Sequence, residues 1–195
     1  MALRDLQRDI DCLVLGASAG GVEALQRIAA ALPAGFAPPL LVVLHLLADR
    51  PSGMVALLAE HCALRVVEAE DKAPIVAGQI VIAPPDYHLL VERGRTLALS
   101  LDAPVLHSRP AIDPLFESAA LAFGERLLAL LLTGASSDGS AGVAAVRRRG
   151  GTAWVQDPQD ARVATMPAAA LQRAGADAVL TLDQICARFA GATTP

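Results

Sequence analysis

Three residues in this sequence are of the types that relay protons, and each follows an apolar run. The first run stops at Gly16 and leads into "GASAGG", which places Ser18 in a glycine-rich turn. The second, "LLVVLH", ends at His45. The third, "LLALLLTGASSDG", passes through Thr133-Gly134 and reaches Asp138 just before a helical pattern. A hydroxyl, an imidazole and a carboxylate are the nucleophile, the base and the group that orients the base in acyl transfer. They meet only if the runs that carry them are neighbouring strands with their carboxyl ends on one edge.

The rest of the chain supports such a scaffold. Apolar runs at 10–15, 40–44, 64–67, 79–82, 127–132, 152–155 and 178–180 read as strands. Periodic segments at 21–32, 52–62, 113–123, 139–149, 167–174 and 182–189 read as helices. Several strand runs are continuously apolar, the mark of burial on both faces. The expectation is an α/β fold: a doubly wound, mostly parallel sheet with helices on both faces. Residues 87–101, "YHLLVERGRTLALSL", break the alternation and read as an antiparallel β-hairpin, expected at a sheet edge.

The glycine-rich turn fails the nucleotide-binding patterns in detail. A dinucleotide fingerprint needs glycine where Ser18 stands, so that the backbone can approach the pyrophosphate. It also expects an acid near the end of the second strand, where His45 stands. No Gly-Lys-Ser/Thr follows, so the phosphate loop fails as well. The turn does match G-x-S-x-G, but in α/β-hydrolases the histidine comes last. Here His45, His61, His88 and His107 all precede Asp138, and the order is Ser, His, Asp.

Bulk properties bound the rest. The chain has 195 residues, 54% of them hydrophobic, and a net charge of −4. One domain spanning 1–195 is expected, with no global attraction to nucleic acid or to an anionic membrane. The longest apolar runs are far shorter than the ~20 residues of a membrane-spanning helix. Three widely spaced cysteines, Cys12, Cys62 and Cys186, argue against a disulfide framework or a metal site. A cytoplasmic monomer without metal or cofactor is the expectation.

The order of these segments resembles the catalytic domain of the chemotaxis protein-glutamate methylesterase family, CheB. The similar segments are "LGASAGG", "LLVVLHLL", "GQIVIAPPDYHLLVE", "RPAIDPLFESAA", "LLTGASSDGSAG" and "VQDPQDARVATMPAAAL", running from about Asp11 to about Ala190. The resemblance implies a Ser18–His45–Asp138 triad. It also implies hydrolysis of glutamate methyl esters, with deamidation of some glutamines, on the helices of methyl-accepting chemoreceptors. The oxyanion would be met by amides at Ala19 and Ala135, with Gly20, Gly21 and Gly134 shaping the substrate site. Family members usually carry threonine where this chain has Ala19 and methionine where it has Ala135. These departures leave a catalytically impaired receptor-binding module as the alternative, ahead of a nucleotide-binding domain. No receiver domain is expected, because the first strand begins about ten residues after Met1.

Other polar residues have structural readings. His88 is a rival base, expected to pair locally with Asp86. Asp157, after "WV", is a rival orienting acid. Asp113-Pro114 fits an N-cap followed by the first helical position. Arg109 fits a loop salt bridge or a contact to an acidic partner. His61 sits at a helix end and His107 on a loop. Arg147, Arg148 and Arg149 complement a helix C-terminus, and Cys12, Cys186 and Trp154 read as core.

Overall fold

The structure, a computed structural model, describes residues 9–45 and 53–191. Residues 46 and 47 of "LLVVLHLL", the start of the expected 52–62 helix, and both ends of the expected 1–195 domain lie outside the described residues.

The continuously apolar runs become a seven-stranded parallel sheet. Its strands are β1 (Cys12–Ala17), β2 (Leu40–Leu44), β3 (Arg65–Glu68), β4 (Gln79–Ile82), β7 (Leu127–Leu131), β8 (Thr152–Gln156) and β9 (Ala178–Leu180), in the order β3-β4-β2-β1-β7-β8-β9. Alternate residues of the central strands fill two separate cores. Leu13, Leu15, Val42, Leu44, Leu128 and Leu130 pack toward α1 (Gly21–Ala31), α2 (Met54–Ala59) and α6 (Leu182–Phe189). Val14, Leu41, Val43, Ala129, Leu131 and Val155 pack toward α3 (Ile112–Phe123), α4 (Ser140–Arg148) and α5 (Thr165–Ala174). Both faces of the sheet are therefore dry, which is why the strands lack a polar alternation.

β1 is the pivot. It pairs in parallel with β2 on one side and with β7 on the other. The chain leaves β1 toward β2 and later returns to the opposite flank through β7. In open α/β sheets such a reversal opens a crevice at the carboxyl ends of the strands.

The hairpin departs from expectation. β5 (His88–Val91) and β6 (Leu97–Ser100) form their own two-stranded sheet and do not extend an edge of the main one. Leu89, Val91 and Leu97 bury their side chains in the second core, and the Val91 amide donates to Ser118 Oγ of α3 at 3.0 Å. One face of the hairpin is apolar enough to cover the α3 side of the sheet, so the pair lies as a lid on that core.

Asp113 also departs. α3 begins at Ile112 with Ala111 at the cap, two residues before the expected cap. The free amides of Ile112 and Asp113 donate to Asp138 at 2.6 and 3.0 Å. A carboxylate from a distant loop thus does what a local N-cap side chain ordinarily does. Cys12 and Trp154 are core as expected, whereas Cys186 is half-buried at the margin of the first core.

Candidate active site

The nucleophile candidate sits at the pivot. The register Ala17↔Leu44 continues one step further, because the His45 amide donates to the Ala17 carbonyl at 3.1 Å. On the other flank the Ser18 amide donates to the Thr133 carbonyl at 3.0 Å. Ser18 therefore stands opposite His45 and beside Thr133, on strands ~4.8 Å apart. Ala17 and Leu44 face the α1 core. The next residues, Ser18 and His45, alternate toward the side where α3 and Asp138 lie.

After Ser18 the chain must turn sharply into α1. Gly20 makes the turn with φ +81°, a left-handed conformation that other residues enter at a cost. The Arg162 Cβ lies 2.9 Å from where a side chain at Gly20 would begin. Gly21 N–H donates back to the Ser18 carbonyl at 2.7 Å, and Thr133 Oγ1 donates to the Ala19 carbonyl at 2.8 Å. The turn is rigid, while the hydroxyl of half-buried Ser18 has no protein hydrogen-bond partner among the described residues.

His45 Nε2 lies 2.8 Å from Asp138 Oδ2. Asp138 is fully buried and also accepts from the amides of Ile112, Asp113 and Gly139, the last at 2.8 Å. Burial alone would raise the pKa of its carboxyl. His45 and the backbone amides outweigh burial and hold it below the ordinary value. The carboxylate is thus ionised at neutral pH and takes the Nε2 proton as its partner. The imidazole is left with its lone pair on Nδ1. That nitrogen meets Ser108 Oγ at 3.3 Å.

The five residues expected at the oxyanion and substrate site, Ala19 and Ala135 as amide donors and Gly20, Gly21 and Gly134 as shaping residues, divide by what their amides do. Gly21 N–H is spent on Ser18, and Gly134 N–H on the Val163 carbonyl at 3.1 Å. Gly134 serves through its missing side chain: a Cβ there would sit 2.5 Å from Met166 Cε and 3.0 Å from Ser18 Cβ. The amides of Ala19, Gly20 and Ala135 have no protein acceptor among the described residues, and Ala19 and Ala135 are exposed. Free amides at the start of α1 are suited to an anionic oxygen.

The rivals are tied up elsewhere. His88 is buried, with Nδ1 accepting from the Ala111 amide and Nε2 facing the Ala103 carbonyl, both at 3.2 Å. Both nitrogens are spent on backbone, and Asp86 pairs with Arg109 at 2.9 Å instead of with His88. Asp157 accepts from the Gln159 amide at 2.9 Å in its own loop. His61 and His107 are exposed. Among the described residues no group of three His, Cys, Asp or Glu side chains could hold a metal ion, and no helix is long and apolar enough to cross a membrane.

Nothing in the local sequence signals Ser108. It lies in "LHSRP", 63 residues from His45. Only the folding of the 101–111 loop over the sheet edge brings the two together.

Comparisons with known proteins agree with this architecture. The family model described as CheB methylesterase matches residues 13–189. A putative protein-glutamate methylesterase/protein-glutamine glutaminase of Leptospira interrogans is 39% identical over 92% of this chain and 93% of its own length. Protein-glutamate methylesterase/protein-glutamine glutaminase 2 of Cereibacter sphaeroides is 43% identical over 90% of this chain, which spans 49% of that relative. The crystal structure of the Thermotoga maritima CheB methylesterase catalytic domain superposes with a TM-score of 0.87 at 30% identity. The match covers 93% of this chain and 97% of that one.

Proposed function

This chain belongs to the CheB methylesterase family, and we propose that it hydrolyses glutamate methyl esters, and deamidates glutamines, on chemoreceptor helices. The observation that carries the reading is the buried Asp138 carboxyl 2.8 Å from His45 Nε2, with Ser18 one step beyond the Ala17–Leu44 pair, where the His45 amide meets the Ala17 carbonyl. Ser18 Oγ attacks the side-chain carbonyl as its proton passes to His45 Nδ1. Asp138 holds the opposite nitrogen and stabilises the imidazolium. The tetrahedral oxyanion is met by the unspent amides of Ala19, Gly20 and Ala135, each such donor being worth roughly 2.7–4 kcal/mol in related chemistry. The imidazolium then protonates the departing methoxide or amine, and water, activated by the same base, releases the carboxylate and restores Ser18.

Methyl-labelled receptor is incubated with the protein and with Ser18→Ala, and released methanol is measured. Release by the parent and not by the variant supports the assignment. Equal release from both overturns it. Receptor binding with no release from either leaves the non-catalytic binding module, the reading favoured by Ala19 and Ala135.

A further inference from the structure

The site holds a hydroxyl that the proposed chemistry does not use. His45 Nδ1, the nitrogen that must receive the Ser18 proton, faces Ser108 Oγ at 3.3 Å. Because Asp138 takes the Nε2 proton, Ser108 is the donor in this contact and the Nδ1 lone pair accepts. The separation is long for a hydroxyl hydrogen bond, so the contact is weak and exchangeable.

The segment that presents Ser108 is built with care. Val105 and Ser108 exchange backbone hydrogen bonds at 3.1 and 2.9 Å around Leu106 and His107. Those two residues have φ of 47° and 67°, so both corners of this two-residue turn are left-handed without a glycine. Such conformations persist only where the surroundings impose them. Arg109 supplies part of that imposition. It bridges to Asp86 and donates to the carbonyls of Leu101 and Asp102 at 3.1 and 3.2 Å. His88 supplies the rest by joining Ala103 to Ala111 across the base of the loop. Two polar residues that are not in reach of the chemistry thus clamp both ends of a strained turn, and its hydroxyl reaches the base.

We propose that Ser108 is a positioning residue that occupies the lone pair of His45 in the unliganded protein and competes with Ser18 for it. The inference rests on the reading of His45 as the base. Ser108 holds the ring in the tautomer and plane that Asp138 requires, and it yields Nδ1 when Ser18 is drawn into attack. The reactivity of Ser18 is therefore tempered until substrate arrives. The charged groups around this contact are Asp138 on Nε2, Asp113 behind Asp138, and the Arg109–Asp86 pair at the root of the turn. None of these groups hydrogen-bonds to the Ser108 hydroxyl, whose partner among the described residues is His45 Nδ1.

The test uses a small serine-directed organophosphonate, with the adduct mapped by mass spectrometry, and nitrogen NMR of His45 in the same proteins. Ser108→Ala and Ser108→Gly both delete the hydroxyl, and Ser108→Thr keeps it. Losing one weak competing hydrogen bond should speed labelling of Ser18 about 3- to 10-fold. The Nδ1 resonance should move downfield in both deletion variants, with Ser108→Thr close to the parent. Labelling of Ser18 at an unchanged rate, with Nδ1 unmoved, overturns the competition and leaves the base assignment standing. Slower labelling in the deletion variants, or an adduct on Ser108, makes Ser108 a helper or the nucleophile and overturns it as well. If no protein forms an adduct, the acyl-enzyme reading fails, and the Nδ1 resonance alone decides whether Ser108 engages His45.

Discussion

The carboxyl edge of the sheet has two halves built from the same residue types. On the β8–β9 half, Gln156 accepts from the Thr133 amide at 3.0 Å and donates to Asp160 at 2.8 Å. Asp160 accepts in turn from the Leu182 amide, and Thr181 and Gln184 close a reciprocal capping box that starts α6. The polar groups of this network are spent on holding loops. On the β2–β1–β7 half, Asp138 is equally spent, but the residues it supports are not. His45 keeps one nitrogen on a long, exchangeable contact, and neither the Ser18 hydroxyl nor the Ala19 and Ala135 amides have a protein partner among the described residues. Composition does not separate the structural polar residues from those to which the proposed function gives a reactive role. Unused hydrogen-bonding capacity, held on a rigid frame, does.

The sharpest way to break this contrast is to remove a residue that the frame does not need. Ser18→Ala should lower methanol release by about three or more orders of magnitude, and adding His45→Ala should lower it little further. Because the Ser18 hydroxyl has no hydrogen-bond partner among the described residues, chemical denaturation of Ser18→Ala should match the parent within ~0.5 kcal/mol. A large loss of stability would mean that Ser18 is structural and the two halves are alike.

Asp138 belongs to both categories, so its substitution should separate the two kinds of loss. Asp138→Asn keeps the shape but puts an amide among donors: the Ile112, Asp113 and Gly139 amides and the His45 ring. Activity should fall by about three orders of magnitude. Folding free energy should fall by ~2 kcal/mol, the scale of hydrogen bonds to a charged acceptor. Denaturant titration and methanol release on the same sample check both. A loss of activity with unchanged stability would show that the cap of α3 does not depend on the charge.

The opposite outcome is expected beyond β7, on the β8–β9 half. Gln156→Ala leaves the buried Thr133 amide without its acceptor and takes one of two donors from Asp160, which keeps the Leu182 amide, and should cost ~1–3 kcal/mol. Its activity should stay within tenfold of the parent, since no proposed step passes through it. A collapse of activity at full stability would move the boundary between the halves.

Much of this was readable from residue patterns, and the limits have physical causes. The parallel sheet was legible because strands dry on both faces have no polar alternation to hide them, as in "LVLGA" and "LLVVL". The approach of His45 to Asp138 was legible because both follow apolar runs that end at the carboxyl edge of one parallel sheet. The place of the hairpin, away from the sheet edge, is not legible, because a short apolar alternation reports that one face is buried but not against what. Local sequence favours a nearby side chain, Asp113, as the cap of α3, whereas its free amides meet Asp138, 25 residues on from Asp113. Ser108 and the clamp by Arg109 and His88 were invisible for the same reason. Their contacts are set by how a loop crosses the sheet edge, and no periodicity encodes that path.

The smallest effect separates the two carboxylates behind the site. Asp113 accepts from the Gly142 amide at 2.7 Å, yet burial, together with the nearby Asp138 and Glu117, pushes its pKa up to about 6, against the opposing pull of Gly142 N–H and Arg173. Asp138 is shifted the other way. A carboxyl whose folded pKa lies above its unfolded value binds its proton more tightly when folded. Its contribution is fully present below about pH 4 and is lost as pH rises toward 6. Asp138, held below the ordinary value, contributes above about pH 4 and loses that contribution under stronger acid. Asp113 is only partly buried, so the fall between pH 4 and 6 should be on the order of 1 kcal/mol once solvent screening is allowed for. Asp113→Asn keeps an oxygen for the Gly142 amide and carries no proton to lose. Its stability, followed by denaturant midpoints from pH 4 to 7, should lack that fall and gain on the parent as pH rises. Parallel curves for the two proteins through this window would mean that Asp113 does not titrate there, and that the acid behind Asp138 is as fully spent as the network on the other half of the edge.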